Sequence, residues 1–223
     1  MEGLTNSCIT GVIGSLDKFI DKFNDKRELS IIKQRKIDYN YTVSEYIKYI
    51  LFNNYISVKD YNKKIDDSLK IVGLNKSYLT KKVSTLSSSE LKLIILAGNL
   101  IGNPNTIIFD NYFSGLDNKN TKKVINILNK LIDKYNKKIY IISSDTEFLY
   151  QYTKNLIIYK NDKLLIEGKT NYIFEKENKK LINNNIRIPN TVIFTDLVRK
   201  KKRKKLNYNK DIRDLIKDIY KKV

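Results

Sequence analysis

The amino-acid sequence predicts an α/β fold built on a mostly parallel sheet. Short apolar, β-branched runs recur as candidate strands, and between them apolar residues recur at helical spacing. One such strand, Thr106–Asp110, ends in an acid and a tight turn before the next helix. At 223 residues the chain has room for one domain or one with an appendage, and 41% hydrophobic content is ordinary for a globular protein. No apolar run reaches the roughly 18–20 residues that span a bilayer. No basic-then-apolar leader opens the chain. The single cysteine, Cys8, excludes an internal disulfide framework and fits a reducing cytoplasm.

The elements follow in order. Residues 8–13 (CITGVI), closed by Gly14, read as a buried strand. Residues 17–23 read as a helix and residues 29–32 as a second candidate strand, just before Gln34. Thr42 and Glu45 form a capping box, and Val43, Tyr46, Ile47, Ile50 and Leu51 are the stripe of the helix they open. A second helix carries Tyr61, Ile65, Leu69 and Val72 and stops at Gly73, where a left-handed residue is needed. After Asp110, Val124, Ile125, Leu128, Leu131, Ile132 and Tyr135 mark a long helix, and residues 139–142 a strand. A short helix at 146–152 leads to a hairpin, residues 156–159 and 164–166 around Asn161 and Asp162. From about Tyr172 the chain is helical and basic. Pro189 interrupts it, a further segment covers 191–198, and the last helix has Ile212, Leu215, Ile216, Ile219 and Tyr220 on one face. That face packs on its own domain or forms a partner interface.

The 43 Lys and Arg residues against 24 Asp and Glu give a net charge of +19. Such a charge draws a protein to nucleic acid or anionic lipid. Here the lysines are spread among Asn, Ile and Tyr, as in AT-rich coding sequence, and read as solvated helix faces. Only residues 199–205 (RKKKRKK) are dense, as a phosphate-binding patch or a charged loop between two helices.

Residues 86–117 read LSSSELKLIILAGNLIGNPNTIIFDNYFSGLD. The order resembles the signature-to-Walker-B block of ATP-binding-cassette ATPases: LSGGQ, a helix, four apolar residues, then DEPTSGLD. That resemblance implies a P-loop NTPase-like, mostly parallel sheet with a helical signature subdomain at about 42–102, inside a degenerate cassette domain of residues 1–171 whose N-terminal part is reduced. The tail, NNIRIP at 184–189 and DIRDLIK at 211–217, is similar to the C-terminal extension of energy-coupling-factor importer ATPases. It implies a helical, dimerisation-type extension over residues 172–223.

The resemblance carries over residue by residue. Gly14 and Lys18 stand where GxxxxGK[ST] would cradle phosphates, but Leu16, Asp17 and Phe19 are unsuited and the loop is short. Gln34 matches the glutamine of the Q-loop. Ser87, Ser88 and Ser89 occupy the signature, where a helix N-terminus meets the γ-phosphate held by a partner subunit; Ser87 and Glu90 also read simply as a capping box for their own helix. Asp110, with Gln34, would organise Mg²⁺. Asn111 stands at the general-base position, where an amide accepts no proton from water. Ser144 stands at the switch-histidine position, and the chain contains no histidine. Ser114, Gly115, Leu116 and Asp117 match an intact D-loop, which meets the opposite subunit.

The resemblance therefore implies a cassette subunit of an energy-coupling-factor-type importer of vitamins or metal ions. It would be a non-hydrolysing or weakly active half of an asymmetric ATPase dimer, cytoplasmic and peripheral on the inner face of the membrane. Mg-ATP would bind weakly or be shared with a second cassette subunit, and an integral membrane transport subunit would complete the assembly. The alternative is a cassette-derived regulatory or nucleic-acid-binding protein.

Overall fold

The computed structural model describes residues 8–23, 29–33, 40–54, 56–57, 59–202 and 206–222. In chain order the elements are β1 (Thr10–Ile13), α1 (Leu16–Ile20), β2 (Leu29–Lys33), α2 (Val43–Asn53), α3 (Tyr61–Ile71), α4 (Ser88–Leu100), β3 (Thr106–Asp110) and α5 (Asn118–Tyr135). They continue with β4 (Lys138–Ile142), α6 (Thr146–Tyr152), β5 (Asn155–Lys160), β6 (Lys163–Lys169), α7 (Thr170–Lys176), α8 (Asn178–Asn183), α9 (Asn190–Lys202) and α10 (Ile212–Lys222). Two compact units result: Phe23–Ile141, and Met1–Lys22 with Ile142–Val223. No helix among the described residues is long and apolar enough to cross a membrane.

In the unit Phe23–Ile141 the strands run in the order β2-β3-β4. β2 and β3 are parallel, in register from Leu29 opposite Thr106 to Lys33 opposite Asp110. The first four residues of β3 are all buried, and Ile107, Ile108 and Phe109 among them form the short apolar run that a strand covered on both faces requires. α2 begins at the expected capping box: Thr42 N–H donates to Glu45 Oε2 (2.7 Å) and Glu45 N–H to Thr42 Oγ1 (3.3 Å). Its buried face is Val43, Tyr46, Ile47, Ile50 and Leu51. α3 ends against Gly73, whose φ of 73° lets the chain leave the helix. α4 packs against both α2 and α3. One polar residue lies within this packing. Buried Asn99 of α4 accepts from Ser30 Oγ (3.0 Å) and Asn54 Nδ2 (3.1 Å) and donates to Ile95 O (2.8 Å), which ties β2, α2 and α4 together.

In the other unit the strand order is β1-β5-β6. β1 pairs parallel with β5, and β5 pairs antiparallel with β6. The hairpin turn has φ of 49° at Asn161 and 59° at Asp162, the two left-handed residues that suit a right-twisted hairpin. Strand β1 starts at Thr10 rather than Cys8, although Cys8 and Ile9 are buried beside it. The C-terminal segment is held by polar links. Tyr150 OH donates to Glu175 Oε1 (2.7 Å), Arg199 Nε donates to Leu206 O (2.7 Å), and the Arg199 guanidinium lies 3.9 Å from the centre of the Tyr208 ring. The basic run at 199–205 is not all loop: its first four residues complete α9, since Arg and Lys are good helix formers. Residues 203–205 lie outside the described residues. On α10, Leu215 is buried while Ile212, Ile216 and Tyr220 are exposed.

Candidate functional site

The expected site residues fall into the two units, and each group has its own geometry. In the unit Phe23–Ile141, Asp110 closes β3 half-buried, paired in register with Lys33. The chain then turns sharply. Asn111 is exposed with φ of 49°, a left-handed backbone that Asn tolerates and a glutamate would enter only at a cost of roughly 1–2 kcal/mol. The amide of Ser114 donates to Asn111 O (3.3 Å) and that of Leu116 to Phe113 O (3.2 Å). Inside this turn Tyr112 is buried edge-on to both Phe109 and Phe113, and Phe113 is tilted against Phe109, with centroids 5.1–5.8 Å apart. Ser114 and Gly115 are left exposed, and Gly115 has φ of 75°. Asp117 caps α5, accepting from the Asn120 amide (2.8 Å) and Asn120 Nδ2 (2.7 Å), which hold its carboxyl below its usual range.

The start of α4 is a closed circuit. Ser87 N–H and Ser87 Oγ both donate to Glu90 Oε2 (2.8 Å each), and Glu90 N–H donates back to Ser87 Oγ (3.2 Å). Tyr78 OH donates to the second carboxylate oxygen at 2.7 Å. The Tyr78 hydroxyl first, then the amide and hydroxyl of Ser87, pull the Glu90 carboxyl down to about 2. Ser87 and Ser88 are exposed and Ser89 half-buried. The hydroxyl and amide of Ser87 are thus occupied by an ionised side chain of the same helix. Helix geometry leaves the amides of Ser88 and Ser89 without intrahelical partners.

Lys92, on the next turn of α4, donates to Tyr112 O (2.6 Å) and to Ser114 O, and its ammonium lies 5.6 Å from the centre of the Tyr112 ring. Tyr112 OH returns a bond to Lys92 O (2.7 Å). Neither residue stands out in the sequence, since each looks like an ordinary helix lysine or core aromatic. The one available signal was the pair Tyr112-Phe113 in place of the Pro-Thr of DEPTSGLD.

In the other unit, β1 and α1 are joined by only Gly14 and Ser15. Gly14 has φ of 146°, and a Cβ there would lie 2.8 Å from Tyr159 Cβ on β5. Gly14 is therefore needed for strand packing. Lys18 is exposed on the five-residue α1. A two-residue link does not cradle a triphosphate, which takes the eight-residue GxxxxGK[ST] motif. Ser144 is exposed between Ser143, whose Oγ accepts from Asp145 N–H (3.0 Å), and Asp145, which caps α6 by accepting from Phe148 N–H (3.0 Å). Its turn is the start of α6. Gln34 lies outside the described residues. Asp110 does fit Mg²⁺ as a donor type, because that ion is commonly held by one or two carboxylates with phosphate oxygens and water.

Solved structures of cassettes share this architecture. The fold matches a cbiO1 subunit from Clostridium perfringens, part of the ABC transporter complex cbiONQ, with a TM-score of 0.63 at 17% identity, covering 86% of this chain and 89% of that one. It also matches a dimeric bacterial ABC transporter cassette with a TM-score of 0.59 at 17% identity, covering 76% and 88%. This is the ATP-binding-cassette fold. In sequence, the chain is 32% identical over 128 residues to an energy-coupling factor transporter ATP-binding protein of Mesomycoplasma hyopneumoniae, 57% of this chain and 42% of that one. A methionine import ATP-binding protein of Oenococcus oeni is 30% identical over 128 residues, 57% of this chain and 36% of that one. The chain spans less than half the length of these curated relatives. No family model matches. Within residues 86–117 the structure holds a helix, a strand ending in Asp110 and a tight turn, while β1 and α1 are joined by two residues.

Proposed function

We propose that this chain is the ATP-binding-cassette subunit of an energy-coupling-factor-type importer and acts as the non-hydrolysing or weakly active half of an asymmetric pair. The supporting observation is Asn111. It replaces a general base with an amide, on a left-handed backbone that a glutamate would not adopt without strain. The two-residue β1–α1 link and the serine at position 144 favour the same reading.

In this role Mg-ATP is held mainly by a second, intact cassette, and this chain brings the start of α4 and the exposed Ser114–Gly115 turn to it. Because Glu90 holds Ser87, the groups left to meet a partner's phosphate are the Ser88 and Ser89 amides. The remaining partner is an integral membrane transport subunit, with this chain on the inner face of the membrane. Purified alone, the chain is expected to hydrolyse Mg-ATP no faster than a buffer control. Strong hydrolysis that Asp110→Ala abolishes would overturn the proposal.

A further inference from the structure

Lys92 makes an unusual set of contacts for a helix lysine. One half-buried ammonium is shared by the carbonyls of Tyr112 and Ser114 and the face of the Tyr112 ring. The Tyr112 hydroxyl bonds back to the lysine's own carbonyl, so the two residues interlock twenty positions apart. Burial pushes the ammonium's pKa down, and two carbonyl acceptors compensate for its lost hydration. Both carbonyls belong to the turn that leaves β3. Fixing them fixes the peptide planes between Tyr112 and Phe113 and between Ser114 and Gly115, and Gly115 has no heavy atom near the place of a Cβ and a left-handed φ. The turn's own bonds, Ser114 to Asn111 and Leu116 to Phe113, are both long at 3.2–3.3 Å.

We propose that Lys92 is a positioning residue that straps the Ser114–Gly115 turn to α4, so that the helix start at Ser88 and the turn are presented as one rigid surface. That this surface meets a second cassette rests on the functional reading above. The strap itself does not.

The test is hydrogen exchange on the full chain without any partner. In Lys92→Met, the Ser114 and Leu116 amides are expected to exchange roughly tenfold faster or more, while the core amides of α4 and β3 and the melting temperature stay near those of the parent. Lys92→Arg, which keeps a charged donor, is expected to restore much of the protection. Tyr112→Phe leaves both ammonium bonds in place and is expected to leave the turn protected. Three results would overturn the strap: unchanged turn exchange in Lys92→Met, a rise shared equally by α4 and β3, or a Tyr112→Phe effect as large as that of Lys92→Met. If Lys92→Met does not fold, Lys92→Gln, which lacks the charge and the reach, takes its place: faster exchange confined to the turn with Tyr112→Phe still protected supports the strap, and unchanged turn exchange overturns it. Binding to a purified intact cassette is then compared between the parent and Lys92→Met. Parent binding weakened by the variant supports the presented surface, and equal binding overturns it. A parent that binds no cassette removes the paired-cassette reading, while the exchange result still judges the strap.

Discussion

At the scale of single residues, Glu90 has the most consequential chemistry. Its carboxylate receives three donors at the start of α4, and its pKa falls from 4.5 to about 2. A carboxyl depressed in the folded state stabilises above its unfolded pKa and loses that contribution as pH falls toward the folded value. Glu90→Gln is therefore expected to cost about 1 kcal/mol at neutral pH, a figure kept small because the group is largely solvated. The gap in melting temperature between parent and variant should close between pH 4.5 and about 2. A gap independent of pH would assign the cost to shape instead of charge. Asn111 gives the complementary lesson: its backbone is left-handed, so a glutamate placed there meets strain as well as a change of charge.

At the scale of elements, the β1–α1 connection separates two uses of a glycine. If Gly14 serves packing, Gly14→Ala is expected to lower stability by about 2 kcal/mol or more, since the new methyl meets Tyr159 Cβ, which cannot swing away. Chemical denaturation measures this directly, and a neutral substitution would argue against the packing role. Elements whose ends are set by local chemistry were legible in the sequence. The capping boxes at Thr42 and Ser87, the left-handed stop at Gly73 and the Asn161-Asp162 turn each need only a few neighbouring residues. What stayed illegible depends on distant partners. Nothing near Lys92 announces Tyr112, and nothing in the apolar α4 announces that Asn99 will meet Ser30 and Asn54. The end of α9 was obscured for another reason, because a dense charge run reads as solvated loop although its residues favour helix.

At the scale of the whole molecule, the fold is that of a cassette, and the proposed role as the inactive half of a pair makes its partners the thing to find. A tagged form recovered from native membranes is expected to bring down a second cassette with an intact phosphate loop and a multi-span membrane protein. Recovery of RNA-associated proteins instead would favour the regulatory reading. One structural habit also reaches beyond the native state. Among the described residues, five asparagines and two aspartates hold positive φ, against four glycines. Glycine is the freest residue in an unfolded chain, and a side chain at the same turn narrows the denatured ensemble. By closing its turns with asparagine, this chain accepts a little strain when folded and surrenders less disorder in folding, so part of its stability is carried by the state that is never seen.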